Sequence, residues 1–329
     1  MSQRQLGSFK CAPIGLGCMN LSHAYGVPPS EQQGQTLLLK ALDLGYDMLD
    51  TAALYGFGNN ETLLGKTLKP HRDKFVLASK CGLFKNAAGM REINGTPEMI
   101  RKTCEDSLKR LQTDVIDLYY LHRLDRNVPI EESVGALADL ITAGKIRAIG
   151  LSEVGADTLR KAHAEHPIAA LQTEYSLWSR NAEIAVLDTC RELGISFVAF
   201  SPVARGFLGG DIRDINALAE KDLRRTMPRF TTENYPHNLA LLDKITPLAE
   251  REDCTLAQLS LAWVLSRGEH IVAIPGTTNL THLEDNFKAG EISLSEDTLA
   301  QLDLIMNQQT VVGGRYNAGT QKEIDTEEF

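Results

Sequence analysis

Three side chains with useful chemistry fall at the ends of short apolar runs, and a fourth follows close behind one of them. In "DMLDTAALYG", residues 47–56, an apolar run ends on a carboxylate, Asp50, and a phenol, Tyr55, follows one short turn later. "FVLASK" ends on Lys80, and "IDLYYLH" ends on His122. An unperturbed phenol has a pKa of about 10, and a neighbouring cation lowers it. Asp50 can pair with Lys80 and keep it charged, since a lone buried ammonium is costly. His122 can donate a hydrogen bond to a substrate oxygen. Together the four suit one task, giving a proton to a carbonyl oxygen as negative charge develops on it. That proton needs a partner hydride, and a hydride needs a cofactor. Singly, each residue has an ordinary structural reading: Asp50 as a helix cap, Lys80 snorkelling to solvent, His122 as a satisfied core histidine. An acid, a lysine and a histidine at three successive strand ends point instead to one site.

The elements that must position them recur in a fixed order. "SEQQGQTLLLKALDLG" opens with Ser30 and Gln33 as a capping box, closes at Gly45, and leads into the strand "YDMLD". "ESVGALADLITAGK" leads to "IRAIGLS", "AEIAVLDTCRELG" to "ISFVAFS", and "TLAQLSLAWVLSRG", with a second capping box at Thr255 and Gln258, to "HIVAIPG". Helix, glycine and short apolar strand make the αβ half of a βαβ unit. Strands are predicted near residues 13–17, 46–50, 75–80, 116–121, 146–151, 168–172, 196–200 and 271–274. They are apolar without alternation, as in a parallel sheet buried on both faces. Eight such strands predict a closed (β/α)8 TIM barrel over residues 1–329 as one domain, with a C-terminal helix capped by Ser295 and a partly mobile tail. An open doubly wound sheet would want GxGxxG after the first strand, and "IGLGCMN" lacks it.

In a barrel of this kind, chemistry sits at the C-terminal strand ends. The remaining ends carry Ser152 and Glu153, Gln172, Phe200 and Ser201, and Gly276 and Thr277. A long stretch after the seventh strand, with Arg205, Arg213, Arg224, Arg225 and Arg229, reads as functional or disordered.

Totals exclude some partners. A net charge of −9 argues against a nucleic-acid surface, which needs a basic stripe. The polar start "MSQRQLGSFK" is no secretory signal, and no apolar run is long enough to span a membrane. Six cysteines without a CxxC pair read as reduced thiols of a cytoplasmic protein. His163 and His166, in "KAHAEHP", read as a solvated helix face rather than a metal site.

The motifs "GLGCM", "DTAALYG", "ASK", "YYLHR", "GLSE", "QTEYSLW", "AFSPVARGFLGG" and "IPGTTNLTHLEDN", spread over about residues 5–290, resemble the aldo-keto reductase superfamily, nearest its bacterial and fungal branch bearing GLSE and IPGTT. The resemblance implies reduction of aldehydes or ketones with NADP(H), and a tetrad falling on Asp50, Tyr55, Lys80 and His122. It implies that Ser152 and Gln172 hold the nicotinamide carboxamide, with Glu153 where asparagine often stands, and that Phe200 stacks on the nicotinamide. Ser201, Pro202, Val203 and Arg205 fall where the pyrophosphate is gripped, and Met19 lines the mouth. Pro275, Gly276 and Thr277 fall at a helix N-terminus suited to an anion. Gly276, Asn279 and His282 stand where a basic residue often holds the 2′-phosphate, and Asp285 and Asn286 would hold the adenine.

Two other readings of the same chain are a Schiff-base lyase using Lys80 and a cofactor-binding regulatory subunit similar to channel β-subunits. The latter is disfavoured by the intact tetrad and by the lack of an extended segment before the barrel. Substrate choice is expected to lie in the loop around Tyr25, residues 83–95, Trp178 and residues 206–235. Tyr25 and Trp178 would form an aromatic wall for an apolar or aryl carbonyl, or each would serve packing alone.

Overall fold

The computed structural model describes residues 2–22, 24–86 and 89–329. A hairpin of β1 (Arg4–Leu6) and β2 (Phe9–Cys11) comes first. The parallel strands begin with β3 (Leu16–Gly17), β4 (Met48–Asp50) and β5 (Val76–Cys81). A second hairpin, β6 (Leu83–Lys85) and β7 (Arg91–Ile93), interrupts them. They resume with β8 (Ile116–Leu121), β9 (Ile146–Ser152), β10 (Ala170–Glu174), β11 (Ser196–Phe200) and β12 (Ile271–Ile274). Neighbours in this parallel sheet follow chain order from β3 to β12. A parallel bridge from Ile14 to Ala273, with the Gly17 N–H donating to the Pro275 carbonyl at 3.1 Å, brings the two edges together. The expected (β/α)8 barrel is present.

Local sequence explains the helices. Both capping boxes form, Ser30 with Gln33 at α1 (Glu31–Leu44) and Thr255 with Gln258 at the helix Leu256–Ser266. Gly45, at φ 100°, ends α1 in the left-handed region, which a residue with a Cβ enters only at a cost. After α1, the barrel is wrapped by α2 (Asn59–Leu68), α3 (Pro97–Leu111), α4 (Ile130–Thr142), α5 (Ala156–Glu165) and α6 (Val186–Leu193). The long stretch after β11 is neither disordered nor plain loop. It forms four short 3-10 turns between Ala204 and Phe230, then an additional helix, α7 (Tyr235–Arg251). Then come α8 (Leu256–Ser266), α9 (Leu280–Lys288), α10 (Glu296–Ile305), which Ser295 caps, and α11 (Ala318–Gln321).

The barrel interior is filled, not hollow. Met48, Ala78, Leu118, Tyr120, Val198 and Val272 meet there, and Leu6 and Cys11 of the first hairpin join them. The hairpin therefore stoppers the N-terminal end of the barrel, leaving the opposite mouth open. Among the described residues no helix is long and apolar enough to cross a membrane, and no cluster of His, Cys, Asp and Glu could hold a metal. His163 instead accepts the Ile168 N–H at 3.2 Å.

The expected mobile tail is a correction. Arg315, Ile324 and Thr326 are buried, and the Asp325 N–H donates to the Glu153 carbonyl at 2.9 Å. Polarity suggested mobility, but the polar groups of the tail find their partners in the barrel mouth.

Candidate active site

The strand ends bring the four expected residues together. Asp50 closes β4, Lys80 lies in β5, Tyr55 opens the turn after β4, and His122 directly follows β8. All four are buried. The Lys80 ammonium forms an ion pair with the Asp50 carboxylate, donates to the Thr51 carbonyl at 2.8 Å, and lies 3.3 Å from the Tyr55 hydroxyl. The second Asp50 oxygen accepts from the Gln172 amide at 2.8 Å. The His122 and Tyr55 rings meet edge to face, with centroids 5.9 Å apart.

Burial dominates the electrostatics. It pushes the Tyr55 phenol above its ordinary value, although Lys80 pulls the other way. The expected lowering by a cation is thus overturned: Asp50 also faces the phenol and raises it, and desolvation outweighs the remaining attraction. Burial alone would lower Lys80, but Asp50 and Tyr55 more than offset it, so the ammonium holds its proton more tightly than usual. A Schiff-base lysine must lose that proton, so the geometry disfavours the lyase reading. His122 is pushed well below its ordinary value, first by burial and then by Arg123, Lys80 and Arg91. It is therefore neutral at pH 7, and its Nδ1 is buried with no hydrogen-bond partner among the described residues.

A cavity of about 760 Å³ runs from Asp50, Tyr55 and His122, with Lys80 buried behind them, to α9. Met19, Ser152, Gln172, Phe200, Ser201, Pro202, Val203 and Arg205 line one part of it, and Pro275, Gly276, Thr277, His282, Asp285 and Asn286 line the other. Gln172 lies inside β10 rather than at its end, because the strand pairs with β11 two residues further, as far as Glu174 and Phe200.

Glu153 is the exception. It does not line the cavity. Its carboxylate accepts from the Glu174 N–H at 2.9 Å, from Arg315 at 2.7 Å and from the Thr326 hydroxyl at 2.8 Å. A group so occupied anchors the tail and has nothing left for a cofactor. Arg205 is committed too: it lines the cavity, but its guanidinium donates to Glu174 at 2.8 Å. Burial would raise the Glu174 carboxyl, yet Arg205, Arg315 and Arg229 together hold it down at about 2.

Two further expectations change. Trp178 is buried behind the mouth, stacked on Phe207 at 4.4 Å between centroids, so it forms no wall with Tyr25. Tyr25 does line the cavity, with the Arg224 guanidinium 4.9 Å from its ring centre. Gly276 and Thr277 precede α9 rather than open it; Asn279 caps the helix, and its side chain accepts from the Thr281 and His282 N–H groups. Those two donors are taken within the chain. Of residues 83–95, Leu83 and Arg91 reach the cavity, and residues 87–88 lie outside the described residues. Sequence reasoning missed Arg91, Arg123, Glu174, Arg315 and Tyr316. The "HR" of "YYLHR" was visible, but nothing in it showed that Arg123 turns into the mouth.

Known proteins share this fold and much of this sequence. The chain is 42% identical over 327 residues to an NADP(+)-named aldo-keto reductase of Schizosaccharomyces pombe, covering 98% of this chain and 96% of that one. It is 44% identical over 312 residues to "Probable aldo-keto reductase 1" of Glycine max, covering 94% and 90%. Among solved structures, glycerol dehydrogenase of Gluconobacter oxydans superposes with a TM-score of 0.84 at 26% identity, covering 99% and 97%. An aldo/keto reductase of Klebsiella pneumoniae in complex with NADP and acetate gives 0.74 at 28%, covering 96% and 99%. The model of the Aldo/keto reductase family matches residues 13–307. With the tetrad at the open mouth of a (β/α)8 barrel, the chain belongs to the aldo/keto reductase family.

Proposed function

We infer that this chain reduces aldehydes or ketones to alcohols with NADPH, Tyr55 supplying the proton. The observation that carries the reading is the buried chain of contacts from Asp50 to Lys80 to the Tyr55 hydroxyl, facing the cavity beside His122. The residues present fit a nicotinamide dinucleotide. The groove is long, the Phe200 ring and the Ser152 and Gln172 side chains lie at its tetrad end, and the polar side chains of α9 lie at the other. Phe200 offers a face for the nicotinamide, Ser152 and Gln172 offer donors, and Asp285 and Asn286 suit an adenine. When bound, the cofactor supplies the hydride. Its reduced 2′-phosphorylated form fits the NADP(+)-named relative and the NADP-bound neighbour.

The residues supply the rest. Neutral His122 donates a hydrogen bond to the substrate carbonyl and turns it toward Tyr55. As negative charge develops on that oxygen, the Tyr55 O–H bond breaks and its proton passes to it. The Lys80 cation stabilises the phenolate left behind, and Asp50 fixes the cation in place. Residues 1–329 act as one domain on a small carbonyl substrate. A cytoplasmic setting fits six free cysteines.

The test is consumption of NADPH and of NADH by the purified protein with 4-nitrobenzaldehyde. Turnover with NADPH well above NADH is expected. Equal turnover would overturn the cofactor preference, and none with either would remove the reductase reading.

A further inference from the structure

Buried arginines in this protein generally have an answering carboxylate. Arg205 has Glu174 at 2.8 Å, and Arg315 has Glu153 at 2.7 Å. Arg229 has no carboxylate within ion-pair reach among the described residues, but it donates to Ser179 at 2.7 Å and the Gly313 carbonyl at 3.0 Å, away from the cavity. Arg123 differs from all three. It is only 8% exposed, lines the cavity next to His122, and no carboxylate pairs with it among the described residues. One terminal nitrogen donates to the His122 carbonyl at 2.7 Å and to Ser152 Oγ at 3.3 Å, while Nε is buried with no partner among the described residues. A buried guanidinium without an anion is unfavourable unless something else supplies the charge.

The surroundings add positive charge. Arg91, at the start of β7, lines the same cavity and pairs with Glu323 of the tail. Burial and then Arg123 lower the Arg91 pKa, so the two cations feel one another. Asp50, the carboxylate of the tetrad, is already held by Lys80 and Gln172. The acidic residues Asp211 and Asp285 line the cavity together with His282 of α9. Asp285 belongs to α9 and Asp211 lies 3.8 Å from His282 of that helix, so at the tetrad end Arg123 is left, among the described residues, without an answering anion.

We propose that Arg123, assisted by Arg91, receives a carboxylate carried by the substrate, so that the preferred substrates are aldehydes or ketones bearing a carboxylate. The inference rests on the reductase reading and names the substrate class for the same site. A planar guanidinium matches a carboxylate with two parallel hydrogen bonds, which orients as well as binds. With the carboxylate on Arg123, the carbonyl at the other end of a short oxo-acid faces the adjacent His122 and Tyr55.

The experiment compares kcat/KM for 4-carboxybenzaldehyde with that for its neutral ester, methyl 4-formylbenzoate. Charge-assisted hydrogen bonds predict that the acid is preferred by about tenfold to a hundredfold, chiefly through KM. Arg123→Met should bring the ratio close to one, Arg123→Lys should keep part of it, and Arg91→Met should reduce it by a smaller factor. Equal efficiency in the unaltered protein, or a ratio that survives both Met variants, overturns the proposal. So does an Arg123→Met protein that loses NADPH affinity but keeps the ratio. If Arg123→Met does not fold, the unaltered ratio and Arg91→Met decide. A second readout needs no turnover: calorimetric binding of benzoate and of benzamide with NADP(+) present. Benzoate no tighter than benzamide counts against the anion site. Tighter benzoate that depends on Arg123, without reduction of any aldehyde, would keep the anion site and remove the reductase reading.

Discussion

The Lys80 ammonium stands 3.3 Å from the Tyr55 hydroxyl while Asp50 holds it from the other side. The lysine is thus both fixed and kept charged, and the phenol it faces is kept protonated by burial. Tyr55→Phe removes the proton donor without removing the ring. It should bind NADPH as tightly as the unaltered protein and lose about 10²–10⁴-fold in kcat. Fluorescence titration and steady-state kinetics check this; full activity in the variant would remove Tyr55 from its role.

His122 offers a pH test. Its folded-state pKa is depressed, by burial first and then by Arg123, Lys80 and Arg91. It is therefore neutral well below the pH at which a free imidazole charges, and any stability it contributes is lost only as pH falls from that ordinary value toward the depressed one. The pH profile of kcat/KM should show no inflection between about pH 6 and 8 from this group. The alkaline fall, when the Tyr55 proton is lost, should lie above the ordinary phenol range. An inflection near the ordinary histidine value that disappears in His122→Asn would contradict the neutral-donor role.

The charge cluster under the tail should govern acid stability. Glu174 is held at about 2, below the ordinary glutamate value, so its contribution is present above that ordinary value and lost as pH falls toward about 2. Denaturation midpoints should drop over that window, and less steeply in Glu174→Gln. At neutral pH, Arg315→Met leaves Glu153 and Glu174 short of a partner and should destabilise by about 3–5 kcal/mol. A change below 1 kcal/mol in urea melts would show that the tail is not anchored there.

Gly150 tests packing beneath the tetrad. A Cβ there would come within 2.3 Å of the Tyr120 ring, which is fully buried with its centre 5.9 Å from the Lys80 ammonium. Gly150→Ala should cost about 1–3 kcal/mol and lower kcat by pushing Tyr120 toward Lys80. Adding Tyr120→Leu should recover part of the stability. A Gly150→Ala protein as stable and active as the original would show that the ring has room to move.

What could be read in advance was what short stretches of sequence encode. The capping boxes at Ser30 and Thr255, the glycines closing helices, and the polar residues at the ends of apolar runs placed eight strands and the tetrad. The β1–β2 hairpin escaped because its strands have three residues each, too few for a pattern. The tail escaped because its composition is polar, and only the fold reveals that Glu153 and Glu174 meet Arg315, and Glu153 also Thr326, from far along the chain. Glu153 read as a cofactor residue by its place in "GLSE", and Trp178 as a wall by its ring. Both are turned away from the cavity by partners remote in sequence: Arg315 for one, Phe207 and Arg229 for the other.

The seam between β3 and β12 carries one more consequence, for the order of folding events. β3 is two residues long, and the seam to β12 closes through a bridge at Ile14, just before β3, helped by a few backbone hydrogen bonds. Those contacts join segments far apart in the chain, so closing them loses much loop entropy for few bonds. Amides of residues 14–17 and 271–275 should therefore exchange with solvent sooner than those of β8 and β9, deep in the sheet. Met19 on one side of that joint and Thr277 on the other face the same groove. A molecule lying along the groove would act as a clasp, slowing that exchange in proportion to how tightly it binds.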